Sequence, residues 1–282
     1  MLLWHIRKRS TLLSQDNLRA RLSVRKNMHM LLNNKTCTYY DTIMNQLDPK
    51  GPPQAQLVYG DAPSVPAKIA ILDASFNPMT LAHESLIFTA KTTYHLNEIL
   101  LVLSSTNVDK GLMGATLGQR LTMLIHYAQK QPNTTVAICS HAKFTDKVKA
   151  LMPCYRPQTQ FFFIVGYDTL VRLFDPKYYL DMSYELRLLF ETCHFIAANR
   201  GTNDAQTLKA FLHKEEVIPF ADKIHAISLP DSVANISSTQ VRERIRQHKT
   251  TESFVPKAIL EAIDDLQLYQ DPTQPTKGTE IA

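Results

Sequence analysis

Short apolar runs alternate with helical segments along most of the chain from residue 68 onward. The apolar runs have the length of β-strands and cover residues 68–73, 98–104, 134–139, 160–165, 194–198 and 224–229. Between them, segments such as 117–130 and 144–151 repeat apolar residues at the spacing of an amphipathic helix. Strands that are apolar throughout need cover on both faces, which a parallel sheet flanked by helices provides. The pattern therefore predicts an α/β fold with a doubly wound, Rossmann-like parallel sheet.

The two ends of the chain lack this alternation. Residues 48–66 form a proline-rich stretch, which is typical of a linker. We therefore predict three parts. A poorly ordered basic extension with its linker covers residues 1–66, a folded domain covers 67–270, and a C-terminal tail covers 271–282.

Charge separates the N-terminal segment from the rest of the chain. Residues 1–40 contain eight Lys or Arg and one acid, whereas the remaining chain contains 23 basic and 25 acidic residues. The net charge of +5 therefore comes from the tail, and the composition excludes a polynucleotide-binding surface on the folded domain. An Arg-rich, acid-poor tail is the composition of a mitochondrial transit peptide. The alternative is a basic extension, or a segment upstream of the true start, in a cytoplasmic or nuclear protein.

The cysteines and the apolar runs exclude other classes of protein. Cys37, Cys139, Cys154 and Cys193 show neither the paired spacing of a zinc site nor the density of a disulfide scaffold. They indicate reduced thiols in an intracellular compartment. The longest apolar runs are far shorter than the roughly 20 residues of a membrane helix. We expect a soluble protein with no membrane partner and no metal site built from its own side chains.

The loop after the first predicted strand carries candidate phosphate-binding residues. Ligands of parallel sheets bind beyond the carboxyl ends of the strands, and residues 73–83 occupy such a position. The helix that follows offers backbone N–H groups and a positive dipole end to a phosphate. Thr80 and His83 are three residues apart and share a face of its first turn. His83 can donate a hydrogen bond to phosphate there, although a lone histidine near a helix start is more often structural.

A second candidate segment follows the last predicted strand. Ser237, Ser238 and Thr239 place three hydroxyl groups at the predicted start of a helix. Arg242 lies one turn further along, where a guanidinium can hold a phosphate with two hydrogen bonds. The alternative is an ordinary capped surface helix with solvated arginines, and this segment by itself favours neither interpretation.

Together the two segments resemble the signature motifs of one enzyme family. Residues 75–83, SFNPMTLAH, resemble the GSFNPxTxxH motif of nicotinamide mononucleotide adenylyltransferases, and residues 236–242, ISSTQVR, match their ISSTxxR motif without a mismatch. The resemblance covers residues 68–268 and is closest to a divergent fungal branch of this nucleotidyltransferase family. It implies adenylyl transfer from ATP to nicotinamide mononucleotide, which gives NAD and pyrophosphate.

The resemblance also implies roles for individual residues. His83 would bind the α-phosphate, Thr80 would orient it, and Arg242 would stabilise the leaving β- and γ-phosphates, so these three are the predicted catalytic residues. Mg²⁺ would enter with ATP, bridging phosphate oxygens and keeping mostly water ligands. The other predicted nucleotide contacts are Ser75, Phe76, Lys110, Gly166, Asp168, Arg200, Ser237, Ser238 and Thr239.

Two departures from the family pattern bear on the activity. Ala74 replaces the first glycine of the motif, at a point where backbone approaches phosphate. The only tryptophan is Trp4, whereas the family stacks the nicotinamide ring on tryptophans; the candidate replacements are Tyr178, Tyr179 and Phe144. Two alternatives therefore stay open: an adenylyltransferase with a nicotinate mononucleotide or phosphopantetheine-like acceptor, or a non-catalytic nucleotide-binding module. The oligomeric state is also open, and a homo-oligomer is compatible with the sequence.

Overall fold

The computed structural model describes residues 34–105, 114–199 and 205–270 of the chain. Within these ranges the strands are β1 Ala55–Tyr59, β2 Lys68–Asp73, β3 Glu98–Ser104, β4 Thr134–Cys139, β5 Gln160–Gly166, β6 Cys193–Asn199 and β7 Ile224–Ser228. The helices are α1 (34–45), α2 Leu81–Thr93, α3 Leu117–Ala128, α4 Phe144–Leu151, α5 Tyr167–Leu173, α6 Met182–Thr192, α7 Ala205–Leu212, α8 Asp231–Ala234, α9 Ser238–Arg246 and α10 Lys257–Asp265.

All the described strands join one sheet in the order β1-β4-β3-β2-β5-β6-β7. The strands from β2 to β7 are parallel to their neighbours, while β1 runs antiparallel along β4. The chain order reverses between β2 and β5, because β3 and β4 lie on one side of this pair and β6 and β7 on the other. The predicted doubly wound parallel sheet is confirmed, and each of the six predicted strands ends within one residue of its prediction.

Helices cover both faces of the sheet, and successive strand residues alternate between the two resulting cores. In β2, Ala70 and Leu72 pack in the core with α2, α3 and α10, whereas Ile69 and Ile71 pack in the core with α4 to α7. All four side chains are at most 4% exposed. Burial on both faces explains why the strand sequences are apolar throughout and do not alternate with polar residues.

The folded domain begins before residue 67, and the prediction that residues 1–66 form a poorly ordered extension and linker is wrong for residues 34–59. α1 places Cys37 and Met44 in the core. Asp41 accepts hydrogen bonds from the Gly118 N–H (2.6 Å) and the Thr116 hydroxyl (3.0 Å) at the start of α3. β1 then pairs with β4 as an edge strand. The prolines of residues 48–66 lie before and after this strand and not within it. Their number predicted a linker, although the backbone between them pairs with β4. Residues 1–33 and 271–282 lie outside the described residues.

The four cysteines are reduced and hard to ionise, and the described helices are too short or too polar to span a membrane. All four cysteines are free thiols, and burial raises the pKa of each. Thiols that are hard to ionise react slowly, so these side chains serve packing. Among the described residues, no helix has both the length and the apolar character needed to cross a bilayer.

A histidine pair lies at the amino ends of β6 and β7. The rings of His194 and His225 stack at 5.2 Å between centroids, and Nδ1 of His194 is 3.0 Å from Nε2 of His225. The Phe162 ring stacks on both, at 4.4 Å from the centroid of His194 and 6.1 Å from that of His225. Burial lowers the pKa of His194 to about 4 and also lowers the pKa of His225, and the charge of Lys223 acts in the same direction. Folding therefore favours the neutral form of both rings.

Replacing Gly118 with alanine tests whether α1 belongs to the fold. An added Cβ would lie 2.2 Å from the Cys37 carbonyl oxygen and 2.8 Å from the Asp41 carboxyl carbon. We expect Gly118→Ala to lower the free energy of unfolding by about 1–3 kcal/mol, the usual cost of overpacking, as measured by urea denaturation. Gly166→Ala is the control, because its added Cβ meets nothing within 4 Å. Equal effects of the two variants would contradict the docking of α1.

We expect acid to destabilise the protein through the histidine pair. Because the pKa of His194 falls from 6.5 to about 4 on folding, the unfolded chain binds more protons between these values. The free energy of unfolding is therefore unaffected by His194 above about pH 6.5, and it falls as the pH drops from 6.5 toward 4. The double variant His194→Gln, His225→Gln should show a shallower fall of the thermal midpoint across this window. Exposed His213→Gln is the control, and an unchanged slope in the double variant would contradict the assignment.

Candidate active site

A cleft of about 740 Å³ opens beyond the carboxyl ends of β2 and β5. It lies at the reversal point of the strand order, where doubly wound sheets bind ligands, and its volume is that of a small-molecule site. Residues 72–75 and 163–166 form its floor, and residues of α2, α4 and α5 contribute to its walls. Of the residues predicted from the sequence, the cleft is lined by Ser75, His83, Gly166, Asp168, Tyr178, Tyr179 and Phe144.

The loop after β2 has an unusual backbone conformation. Phe76 has a φ of 42°, in the left-handed region that residues other than glycine rarely adopt, and the Asn77–Pro78 peptide bond is cis. The Phe76 side chain is 1% exposed, and its ring centroid lies 5.5 Å from that of His83. Burial of this ring holds the strained residue in place. Ala74, at the position of the family glycine, is not among the residues with positive φ.

Asn77 joins this loop to three other segments. Its side-chain oxygen accepts hydrogen bonds from the Ala115 N–H (3.1 Å) and the Tyr269 hydroxyl (3.0 Å). Its backbone oxygen accepts one from Nη1 of Arg242 (2.7 Å). Gly114 allows this approach, because a Cβ there would lie 2.7 Å from Oδ1 of Asn77. The loop is thereby fixed against the segment before α3, against α9 and against the chain after α10.

The start of α9 contacts the same loop, so the two motif segments meet. Ser238 Oγ donates to the Pro78 carbonyl oxygen (2.7 Å), and Nη2 of Arg242 donates to Oγ1 of Thr239 (3.2 Å). Ser237 is the N-cap of the helix. None of Ser237, Ser238, Thr239 and Arg242 lines the cleft. Their side chains hold the loop and the helix start, next to the cleft.

His83 lines the cleft from the first turn of α2. Its Nδ1 accepts a hydrogen bond from the Thr80 N–H (3.1 Å) and lies 2.8 Å from the Thr80 hydroxyl oxygen. In the neutral ring, Nε2 therefore carries the proton and is the donor. Thr80 is 0% exposed and does not line the cleft. Thr80 is therefore placed to orient His83, and its predicted catalytic role stays a prediction.

The three aromatic candidates for the missing tryptophans all line the cleft. Phe144 packs edge-on against Phe163 at 5.1 Å between ring centroids. The Tyr179 hydroxyl donates to a backbone carbonyl of α5 (2.6 Å), and the Tyr178 carbonyl oxygen accepts from Nζ of Lys143 (2.7 Å). These contacts restrain the aromatic wall, so a flat ring can stack there at a low cost in conformational entropy.

Two predicted residues cannot be placed, and several important ones were missed. Lys110 and Arg200 lie outside the described residues. The motifs gave no signal for Arg120, which is 5% exposed, donates to a backbone carbonyl of the loop (3.4 Å) and has its pKa lowered by burial. Tyr269 was missed as well, and burial raises the pKa of its phenol although the charge of Arg120 opposes that shift. The ion pair of Asp73 with the buried Lys147 also gave no sequence signal.

Comparisons with known proteins show the family to which the chain belongs. Residues 71–244 match the family model described as "Cytidylyltransferase-like". A Schizosaccharomyces pombe protein named "Putative nicotinamide mononucleotide adenylyltransferase" is 31% identical over 218 residues, which cover 72% of this chain and 86% of that protein. A Shewanella frigidimarina protein named "Probable nicotinate-nucleotide adenylyltransferase" is 25% identical, covering 72% of this chain and 100% of that protein. The solved Plasmodium falciparum nicotinic acid mononucleotide adenylyltransferase complexed with NaAD has a TM-score of 0.51 at 20% identity, covering 72% of this chain and 97% of that one.

The switch-point cleft and the two converging helix starts are those of a nucleotidyltransferase. More specifically, the chain belongs to the cytidylyltransferase-like family and, within it, to the nicotinamide and nicotinate mononucleotide adenylyltransferases. The structural neighbour supports the fold. The resemblance of the two sequence motifs to this family is therefore confirmed.

Arg242→Lys tests the contact between α9 and the loop. Lysine keeps the charge but cannot donate to Asn77 and Thr239 in the same fork geometry. We expect the KM for the nucleoside triphosphate to rise about tenfold, since a charge-assisted hydrogen bond contributes about 1.5–3 kcal/mol, as measured by pyrophosphate release. Arg244→Lys is the control, because Arg244 packs on Phe254 on another face of α9. A change confined to the KM of the acceptor would contradict the expectation.

Proposed function

We propose that the protein transfers the adenylyl group of ATP to nicotinamide mononucleotide, forming NAD and releasing pyrophosphate. One observation supports this most strongly: the starts of α2 and α9 meet on one loop, through the bonds of Ser238 to Pro78 and of Arg242 to Asn77. Two helix N-termini and an arginine side by side form a site suited to a polyphosphate. The name of the Schizosaccharomyces pombe relative supports a pyridine mononucleotide as the acceptor.

In the proposed reaction, the protein positions phosphates and stabilises their charge. A 5′-phosphate oxygen of the acceptor attacks the α-phosphorus of ATP, and the bond to the bridging oxygen of the β-phosphate breaks. His83 donates from Nε2 to an α-phosphate oxygen, where negative charge grows in the transition state. The leaving pyrophosphate would extend from the cleft toward the neighbouring start of α9, where Arg242, with the hydroxyl groups of Ser238 and Thr239, would stabilise it. The backbone of Ser75 and Phe76 orients the α-phosphate.

We propose that ATP enters as its Mg²⁺ complex. Within the described ranges, no three His, Cys, Asp or Glu side chains are grouped so as to hold a metal ion. Mg²⁺ on nucleotide phosphates keeps several waters and needs few protein ligands, so the residues present fit this mode of binding. The ion would supply neutralisation of phosphate charge, and Asp168 is an exposed carboxylate of the cleft that could hold one of its waters.

The aromatic wall supports a flat acceptor base. Phe144, Tyr178 and Tyr179 line the cleft on the side of α4 and α5, and a pyridine ring can stack against them. Nicotinate mononucleotide remains the second candidate acceptor, because the Shewanella frigidimarina and Plasmodium falciparum proteins bear nicotinate names. A phosphopantetheine-like acceptor lacks a ring to stack on this wall, so the geometry favours it least.

Replacing His83 with alanine tests the phosphate role. Loss of a preorganised donor at the reacting phosphate lowers turnover by roughly 10²–10³-fold in comparable sites. We expect that loss for His83→Ala, with little change in the thermal midpoint. His126→Ala is the control, because His126 lies on α3 beside Glu261 and does not line the cleft. Normal turnover of His83→Ala would refute the assignment of this residue.

Incubation of the protein with ATP and Mg²⁺ and each acceptor in turn tests the proposed function as a whole. We expect pyrophosphate release and dinucleotide formation with nicotinamide mononucleotide, and no product with phosphopantetheine. ATP binding by calorimetry without pyrophosphate release from any acceptor would instead establish the non-catalytic alternative.

A further inference from the structure

A charged pair lies in the floor of the cleft. Nζ of Lys147 forms an ion pair with Oδ2 of Asp73 and donates to the Ala142 carbonyl oxygen (2.7 Å). The other carboxylate oxygen of Asp73 accepts from the Ser104 hydroxyl (3.2 Å). The Lys147 side chain is 3% exposed and the Asp73 side chain 19% exposed. The two opposite charges therefore neutralise each other at a site with little solvent.

The pair lies between the phosphate loop and the aromatic wall. Asp73 is the last residue of β2, directly before the loop. Lys147 is on α4, with its Nζ 5.6 Å from the centroid of the Phe144 ring. Asp73, Lys147 and Tyr178 line the same cleft. An acceptor with its phosphate at the loop and its base on the wall would therefore lie over this pair, where charges are screened less than at the surface.

We propose that the Asp73–Lys147 pair makes the cleft prefer a pyridine mononucleotide with a neutral carboxamide over one with a carboxylate. The inference rests on the proposed function. Because Asp73 cancels the charge of Lys147, the floor offers no net positive charge to an acceptor carboxylate. That carboxylate would lose water without a compensating charge, a cost that the carboxamide avoids.

The other described charges of the cleft lie nearer to solvent. Lys143, Asp168 and Arg172 all line the cleft and are exposed. Of these, Lys143 is bonded to the Tyr178 carbonyl oxygen in the aromatic wall and is the described cation best placed to compete for an acceptor carboxylate. Solvent and salt weaken exposed charges, so we expect Lys143 to affect acceptor preference less than the buried pair does.

Four proteins form a charge series that tests this inference. Asp73→Asn leaves the floor with a net positive charge, and Lys147→Met leaves it with a net negative charge. The wild type and the double variant Asp73→Asn, Lys147→Met are both neutral. Each protein is given ATP, Mg²⁺ and equal concentrations of nicotinamide and nicotinate mononucleotide, and the initial rates of both dinucleotide products are measured by mass spectrometry. The product ratio equals the ratio of the two kcat/KM values and does not depend on the fraction of folded enzyme.

We expect the ratio of nicotinate to nicotinamide product to follow the charge of the floor. Relative to the wild type, the ratio should rise at least about fivefold in Asp73→Asn and fall by a similar factor in Lys147→Met. The double variant should return close to the wild-type ratio, although both side chains differ. This return separates an effect of charge from a general disturbance of the cleft.

Two control variants, Glu261→Gln and Lys143→Met, test whether a change in the product ratio comes from the charge of the Asp73–Lys147 pair. Glu261→Gln removes the partner of Lys130 in an ion pair that does not line the cleft, and it should leave the ratio unchanged. A ratio that is equal in all four proteins would overturn the inference. So would a ratio that responds to Lys143→Met but not to Asp73→Asn. If the wild type makes neither dinucleotide, the proposed function itself fails, and a failure of the charge series alone is distinguishable from that result.

Discussion

The hydrogen bonds of Asn77 hold the parts of the site in one arrangement. They join a loop at the end of β2 to the segment before α3, to Arg242 of α9 and to Tyr269 after α10. Asn77 is 7% exposed, and a buried polar group left without its partner costs about 1–3 kcal/mol. Any displacement of α9 from the loop would incur this cost. The position of Arg242 relative to His83 is consequently built into the folded state, and such preorganisation is what phosphoryl transfer requires of a protein.

The topology of the sheet determines the position of the active site in the fold. α2 follows β2 onto one face and α5 follows β5 onto the other, so the two helices separate and a cleft opens between the ends of neighbouring strands. The loop after β2 forms one side of the cleft and the residues around α5 form the other. A phosphate site and an aromatic wall can therefore face each other, although about 60 to 100 positions separate their residues in the chain. The chemistry depends on the reversal of strand order, because without it both helices would lie on the same face.

The sequence predicted those features that depend on local pattern. Strands buried on both faces are apolar throughout, and the six parallel strands were found for that reason. The motifs around His83 and Ser238 were found because a phosphate site at a helix start needs particular residues at fixed spacing. α1 and β1 were missed, because their contacts with α3 and β4 are between elements far apart in the chain. Arg120, Tyr269 and the Asp73–Lys147 pair were missed for the same physical reason: each acts through a partner supplied by another element.

The two departures from the family pattern have different consequences in the structure. Ala74 matters little to the backbone, because the residue with left-handed φ in the loop is Phe76. The conformation is maintained by burial of the Phe76 ring, so the loop depends on a large apolar side chain more than on a glycine before it. The lack of a tryptophan among the described residues of the cleft matters more. Smaller rings at Phe144, Tyr178 and Tyr179 would give an acceptor base less stacking area. Under the proposed function, the charge beneath the acceptor would therefore contribute a larger share of the discrimination between acceptors.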